Sequence, residues 1–123
     1  MAHLEIIDPI RAAALVRDRA VLIDVREAHE HAAEHIPGAR HMALSTINRA
    51  HPAQSGDTIL IFHCKSGART NANAPRLATV ARGCKAYLLG GGIDAWRRAG
   101  LPTSGSTHPD GRAERSFLRR LFG

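Results

Sequence analysis

Residues 58–70 read TILIFHCKSGART, an apolar run followed by a polar loop that carries a cysteine. The run 58–62 predicts a buried strand, because it is short, aliphatic and β-branched, and is preceded by the turn residues 55–57. A helical pattern follows the loop after a few residues. The stretch therefore predicts a strand that delivers the thiol of Cys64 into a tight loop at the start of a helix.

The loop after this strand has the composition of an anion-binding site. Successive backbone N–H groups in such a loop converge on one point. Lys65, Arg69 and the positive start of the following helix favour a thiolate over a thiol. We therefore interpret Cys64 as a nucleophile. A cysteine used only for packing is the alternative, and it leaves the basic, glycine-containing loop unexplained.

Length and composition indicate one globular domain. The chain has 123 residues, of which 44% are hydrophobic and 23% are charged, ordinary values for a protein with its own core. No apolar run approaches the ~20 residues of a membrane span, and the N-terminus lacks the pattern of a signal peptide. Two cysteines without an exported context indicate reduced thiols and a cytoplasmic location.

The basic charge is concentrated at the C-terminus. The last 13 residues hold four arginines and one glutamate, which is half of the net charge of +6. Apolar residues at 117, 118, 121 and 122 form a helical stripe among these arginines. We divide the chain into a domain, 1–105, and a basic amphipathic tail, 106–123. The tail is interpreted as a mobile end or as a segment that contacts an anionic membrane surface or a second copy of the chain.

No basic stripe is interleaved with aromatic residues, so we expect no nucleic-acid partner.

Short apolar runs alternate with helical patterns along the domain. Strands are predicted over 4–7, 21–25, 40–43, 58–62 and 86–89, and helices over 9–18, 27–35, 45–50, about 70–82 and 93–99. This alternation predicts a central parallel sheet with helices on both faces. Pro75 conflicts with one long helix after the Cys64 loop. Either that helix kinks, or its regular part begins near Asn73 with Pro75 in the first turn.

Three polar segments lie where strands of this sheet end, at residues 24–26, 64–69 and 90–92. Ligands of such sheets bind beyond the carboxyl ends of the strands. We therefore expect these segments to meet at one edge of the sheet.

Four segments in this order resemble the rhodanese family of sulfurtransferases: DVR at 24–26, HIPGA at 35–39, CKSGART at 64–70, and LGGG at 89–92 followed by Trp96 and GLP at 100–102. The resemblance spans residues 4–103 and is strongest to the single-domain rhodaneses that precede membrane helices in some bacterial proteins. It implies a rhodanese-like α/β fold.

The resemblance also implies a reaction. The Cys64 thiolate attacks the outer sulfur of a small-molecule donor such as thiosulfate, and the resulting persulfide passes its sulfur to cyanide or to a thiol, including a protein thiol. No cofactor and no metal are implied. The anion-binding loop comprises Lys65, Ser66, Gly67, Ala68, Arg69 and Thr70. Two N–H groups of the Arg69 guanidinium are expected to donate to the oxygens of the sulfur donor or to loop carbonyl oxygens. Lys65 and Ser66 are expected at the loop mouth.

The length of the loop separates two chemistries. Four residues lie between Cys64 and Arg69, as in rhodaneses, whereas the related cysteine phosphatases and arsenate reductases have five. The shorter ring of amides suits a sulfur atom on Cys64 better than a tetrahedral phosphate. A phosphatase or arsenate reductase is thus the alternative enzyme, and a non-catalytic rhodanese-like regulatory module is the other alternative.

Several further side chains have supporting or structural interpretations. Asp24 and Arg26 are interpreted as an ion pair that braces the active loop, since an activated thiolate needs no general base. His63 is expected to point away from the thiol and to brace the loop backbone. Cys84 is interpreted as a packing residue. The histidines within residues 29–35, together with Glu34, are only a weak indication of a metal site. We interpret them as a solvent-exposed face of the predicted helix.

Overall fold

The computed structural model describes residues 4–49 and 56–105. These residues form seven strands and five α-helices, with a short 3-10 helix at Ile47–Arg49. In chain order they are β1 (Glu5–Ile7), α1 (Pro9–Arg17), β2 (Val21–Asp24), α2 (Ala28–Ala33), β3 (Glu34–His35), β4 (Arg40–His41), β5 (Leu60–His63), α3 (Ala68–Ala72), α4 (Ala74–Ala81), β6 (Ala86–Leu89), α5 (Gly92–Arg98) and β7 (Ser104–Gly105).

Five of the strands form one parallel sheet in the order β1-β6-β5-β2-β4. In the centre of the sheet Asp24 lies beside His63, and Phe62 lies beside Leu88. Because β2, β5 and β6 are neighbours and run in the same direction, their carboxyl ends meet at one edge. The predicted parallel sheet is confirmed, and so is the convergence of the segments that follow these strands.

The two faces of the sheet carry separate hydrophobic clusters, because successive side chains of a strand point to opposite faces. Leu22 belongs to one cluster and Ile23 to the other. The first cluster includes side chains of α1 and α5, and the second includes side chains of α4. Helices therefore cover both faces of the sheet, as predicted. The largest fully buried apolar side chains are Trp96, Phe62, Ile23, Ile36, Ile47, Leu60, Ile61, Leu77, Leu88, Leu89 and Ile93.

The prediction of one helix over 27–35 is wrong at its C-terminal end. Helix α2 stops at Ala33 because Glu34 is extended, with φ −159° and ψ 137°. Glu34 and His35 pair antiparallel with Ser104 and Gly105, which form a strand that the sequence did not predict. A strand of two residues has no alternation that could be recognised in a sequence.

The helix after the Cys64 loop is broken at Asn73, which has φ −113° and ψ 16° and lies between α3 and α4. The side-chain amide of Asn73 donates to the carbonyl oxygen of Arg69 at 2.7 Å. Pro75 lies in the first turn of α4. Proline is tolerated there because the first turn of a helix has no N–H partners to lose. The second of the two alternatives for Pro75 is therefore confirmed.

Other boundaries differ by a few residues. The strand expected over 58–62 is observed over Leu60–His63, and the one expected over 40–43 is limited to Arg40–His41. The helix expected over 45–50 is the single 3-10 turn Ile47–Arg49. The tail predicted at 106–123 lies outside the described residues. Among the residues that are described, no helix is both long and apolar enough to cross a membrane.

Helix α5 positions the Cys64 loop from the side of β6. The N–H groups of Ile93 and Asp94 each donate at 3.0 Å to the carbonyl oxygens of Cys64 and Lys65. Gly92 makes this approach possible, because a Cβ atom there would overlap both carbonyl oxygens. Its φ of 59° also lies in the left-handed region that glycine adopts readily.

We expect Gly92→Ala to destabilise the protein more than Gly100→Ala. Both glycines have positive φ, but a Cβ at Gly100 meets open space. The control Gly100→Ala should therefore lose about 1–2 kcal/mol of the free energy of unfolding, because alanine disfavours a positive φ. Gly92→Ala should show a further loss of about 1–3 kcal/mol, because its Cβ overlaps the two carbonyl oxygens. Urea denaturation of both variants measures the difference. Equal losses would show that α5 does not hold the loop.

Candidate active site

The nucleophile candidate lies at the carboxyl edge of the sheet. Cys64 directly follows β5 and shares a hydrophobic cluster with Leu60 and Phe62, two residues that point to the same sheet face. Its exposed fraction is only 1%. The end of a central strand thus holds the thiol in a fixed position beneath the loop.

The loop curls around the sulfur atom. The N–H of Gly67 donates to Cys64 Sγ at 3.1 Å, and Gly67 has φ 96°, a left-handed conformation that turns the chain into α3. The hydroxyl oxygen of Thr70 is 3.8 Å from Sγ and 3.1 Å from the carbonyl oxygen of Gly67. Rotation of one hydroxyl proton can therefore direct it to either acceptor.

Two opposing effects act on the ionisation of Cys64. Burial raises the pKa of the thiol, whereas the N–H groups of Thr70, Gly67 and Arg69 and the Thr70 hydroxyl lower it. The hydrogen-bond donors prevail, so the pKa lies below that of an ordinary cysteine. Helix α3 has only five residues, so nearby N–H groups rather than a long helix dipole favour the thiolate.

The charged side chains of the loop pair with acidic residues outside it. Lys65 Nζ is 3.0 Å from Asp94 Oδ2. Both terminal nitrogens of Arg69 bind Glu30, each at 2.8 Å, rather than the loop carbonyls that were one expectation for this fork. Ser66 and Ala68 are exposed, Gly67 and Thr70 are buried. Of the six residues predicted as the anion-binding loop, Gly67, Arg69 and Thr70 direct N–H groups toward the sulfur atom of Cys64. The two cations of the loop are paired with carboxylates.

Asp24 and Arg26 form a buried ion pair beside the loop. Arg26 Nε and Nη2 donate to the two carboxylate oxygens of Asp24 at 3.0 and 2.9 Å, and its backbone N–H adds a contact of 2.9 Å. His31 Nδ1 lies 2.8 Å from Asp24 Oδ2. Burial alone would raise the pKa of Asp24, but these partners hold it far below its usual range.

His63 lies between this ion pair and the loop backbone. Its Nδ1 is 3.1 Å from the carbonyl oxygen of Cys64, so Nδ1–H donates there. Its Nε2 is 3.9 Å from Asp24 Oδ1 and has no hydrogen-bond partner among the described residues. Burial lowers the pKa of His63 to about 4, so the ring is neutral near pH 7. The contact confirms that His63 braces the loop backbone.

Sequence reasoning missed two carboxylates that contact the loop, Glu30 and Asp94, and it considered Glu34 only as part of a metal site. Arg69 and Glu30 are 39 positions apart in the chain, and no periodicity links them. The one local signal is a capping box, in which the Glu30 side chain accepts from the Glu27 N–H at 3.1 Å. That pattern predicts the start of a helix but not a partner for Arg69.

The remaining candidates lie outside the loop. The rings of His31 and His35 stack at 4.4 Å and those of His31 and His41 at 4.8 Å. Residues 4–49 and 56–105 contain no group of three or more histidine, cysteine, aspartate or glutamate side chains placed to hold a metal ion. Cys84 packs against the same hydrophobic cluster as Cys64, in agreement with its predicted packing role.

Comparison with known proteins places this fold and loop in one family. Residues 8–99 match the rhodanese-like domain. The chain is 32% identical over 98 residues to a thiosulfate sulfurtransferase, GlpE, of Pseudomonas fluorescens, covering 79% of this chain and 88% of that protein. It is 34% identical over 88 residues to an uncharacterized protein of Synechocystis, covering 71% of this chain and 48% of the relative. The chain belongs to the rhodanese family.

A solved structure supports the same assignment. The crystal structure of a thiosulfate sulfurtransferase from Pseudomonas aeruginosa superposes with a TM-score of 0.73 at 25% identity. The match covers 84% of this chain and 20% of that much longer chain. The family and the α/β fold that the resemblance implied are thus confirmed.

We expect Asp24→Asn to destabilise the fold, because it leaves the buried Arg26 guanidinium without its carboxylate. Removing one partner of a buried pair typically costs about 3–5 kcal/mol. Since the pKa of Asp24 is depressed, its contribution is complete above the unfolded-state pKa and is lost as the pH falls through the folded-state value. Urea denaturation should therefore show the same loss at pH 7 and pH 6. Asp57→Asn, at an exposed turn residue, is the control. A similar loss of unfolding free energy in that variant would contradict a stabilising role of the Asp24–Arg26 pair.

We expect Thr70→Val to raise the pKa of Cys64, because it removes the hydroxyl near Sγ while it keeps the backbone N–H. The measurement is the rate of iodoacetamide alkylation across pH in a Cys84→Ser background. With Thr70 in place, Cys64 should become reactive at lower pH than an ordinary thiol. In Thr70→Val the pH at which the alkylation rate is half-maximal should rise. Thr79→Val removes an exposed hydroxyl of α4 and should leave the profile unchanged. Identical profiles for the two variants would argue against hydroxyl stabilisation.

Proposed function

We propose that this protein is a thiosulfate sulfurtransferase of the rhodanese type, which transfers a sulfane sulfur atom through a persulfide on Cys64. The observation that supports this most directly is the 3.1 Å hydrogen bond from the Gly67 N–H to Cys64 Sγ. Together with the N–H groups of Thr70 and Arg69, this contact lowers the pKa of Cys64 and so favours the thiolate that the reaction needs. The relatives named thiosulfate sulfurtransferase, at 30–34% identity, support the same reaction class.

The first half-reaction moves sulfur to the protein. The Cys64 thiolate attacks the outer sulfur of thiosulfate, a bond forms between these two sulfur atoms, and the bond to the central sulfur breaks. Sulfite leaves with the electron pair of that bond. One S–S bond replaces another, the total charge is unchanged, and no oxidant or reductant is needed. The loop N–H groups that lower the pKa of Cys64 also suit the anionic terminal sulfur of the persulfide.

The second half-reaction returns the protein to its starting state. Cyanide attacks the terminal sulfur of the persulfide, the S–S bond breaks, and Cys64 leaves as the same stabilised thiolate. Thiocyanate is the product. A thiol acceptor reacts in the same way after it loses its proton, and its product is a persulfide. The reaction requires a reduced Cys64, so we propose that it takes place in the reducing cytoplasm.

The geometry of the loop favours this reaction over phosphate chemistry. Four residues separate Cys64 from Arg69, and Sγ already lies close to the amide of Gly67. A phosphoryl group on Sγ presents three oxygens that each need donors, whereas a persulfide adds one atom. The complete loop also distinguishes this chain from a regulatory module that lacks the nucleophile.

We expect thiosulfate treatment to add one sulfur atom to the protein and cyanide to remove it with release of thiocyanate. Intact-protein mass and thiocyanate production are the two measurements. Cys64→Ser should show no mass gain and a turnover reduced about 10³-fold or more, as expected for loss of a nucleophile. Cys84→Ser should retain both signals, because Cys84 lies outside the loop.

Undiminished thiocyanate production by Cys64→Ser would contradict the proposal. The same preparations should hydrolyse aryl phosphates no faster than Cys64→Ser does. Cys64-dependent hydrolysis of aryl phosphate without a persulfide would instead support the phosphatase alternative. Absence of both activities would support a regulatory module.

A further inference from the structure

Arg69 carries the guanidinium group of the predicted anion-binding loop, and both of its terminal nitrogens already bind a carboxylate. Nη1 binds Glu30 Oε1 and Nη2 binds Glu30 Oε2, both at 2.8 Å. This bidentate geometry is the strongest that an arginine forms with a carboxylate. The Arg69 contact lowers the pKa of Glu30 to about 2, so the carboxylate is charged at every physiological pH. A donor that needs the same nitrogens must therefore compete with Glu30.

The position of Glu30 is determined by the fold. It lies in the first turn of α2, where its Oε1 also accepts from the Glu27 N–H at 3.1 Å. The far end of α2 is tied down by His31, which contacts the buried Asp24 at 2.8 Å. The carboxylate is thus held in place from its own helix, independently of Arg69.

The surrounding charges give no large positive excess for a doubly charged donor. Along the loop and α5, three cations contact acids: Lys65 contacts Asp94, Arg69 contacts Glu30, and Arg97 contacts Glu34 and Asp94. Arg98 of α5 adds one further positive charge near Gly91. When Cys64 is ionised, its negative charge offsets the positive charge of Arg98. A dianion therefore gains little net attraction at this site, whereas the amides around Sγ still suit one anionic sulfur.

Resting on the sulfurtransferase function proposed above, we propose that Glu30 is a specificity-determining residue. It competes with the anionic oxygens of the donor for the fork of Arg69, and it thereby favours sulfane-sulfur donors with one negative charge, such as thiosulfonates, over the thiosulfate dianion. Glu30 acts through Arg69 and takes no part in sulfur transfer itself.

The sulfur-transfer step is the same for both donors. With methanethiosulfonate, the Cys64 thiolate attacks the outer sulfur, the bond to the sulfonyl sulfur breaks, and methanesulfinate leaves with the electron pair. Charge is conserved, as it is when sulfite leaves thiosulfate. The two donors thus present the same kind of reacting sulfur and differ by one negative charge.

The test compares the two donors in Glu30→Gln and in the unmodified protein, with cyanide as acceptor. Glutamine keeps an oxygen for the Glu27 N–H but removes the competing charge. We expect the KM for thiosulfate to fall about tenfold, the size of one charge-assisted contact, and the KM for methanethiosulfonate to change less than about twofold, with similar kcat values for both donors. Glu5→Gln also removes the acid of an arginine pair, that of Arg11, and should change neither KM.

An equal change of KM for both donors, or a loss of kcat alone, would overturn the inference and leave Glu30 a structural partner of Arg69. A second measurement uses the unmodified protein and does not depend on folding of the variant. Sulfate should inhibit no better than methanesulfonate, and inhibition by sulfate at about tenfold lower concentration would also overturn it. Failure of the proposed function is distinguishable, since Cys64 would then gain no sulfur from either donor.

Discussion

The two hydrogen bonds from α5 to the Cys64 loop are the constraint on which the site depends. Ile93 and Asp94 donate to the carbonyl oxygens of Cys64 and Lys65, so these carbonyls face α5. The loop N–H groups are then left to converge on the sulfur. The contact requires backbone to approach backbone, which explains why a glycine at position 92 is needed where β6 turns into α5.

The ionisation of Cys64 depends on a balance between burial and hydrogen bonding. Cys64 is almost fully buried, which by itself disfavours the charged form. The N–H groups of the loop reverse this preference, but only if the loop keeps its shape. His63 supplies part of that support through the carbonyl oxygen of Cys64, and Asp24 lies next in line, bound by Arg26. The predicted role of these buried charges is therefore to support a backbone conformation.

The charges around the loop are arranged in pairs. Lys65, Arg69 and Arg97 each contact a carboxylate from another part of the chain. The exposed Lys65–Asp94 pair adds little to stability, and the shared consequence of all three pairs is electrostatic. They reduce the positive potential that the basic sequence suggests, and they leave the backbone amides as the principal donors for an anionic sulfur. Under the sulfurtransferase function proposed above, the choice of donor then depends on how readily an incoming oxygen displaces an internal carboxylate.

The sequence by itself determined the alternation of strands and helices, the parallel sheet and the placement of Cys64 at a strand end. These features depend on local patterns: apolar runs, turn residues and the length of the loop. Only the tertiary structure decided that Arg69 binds Glu30, that α5 orients the loop, and that Glu34 pairs with β7. Each of these contacts joins residues far apart in the chain, and their geometry depends on how whole elements pack. Local periodicity carries no record of such distances, whereas the packed sheet determines them.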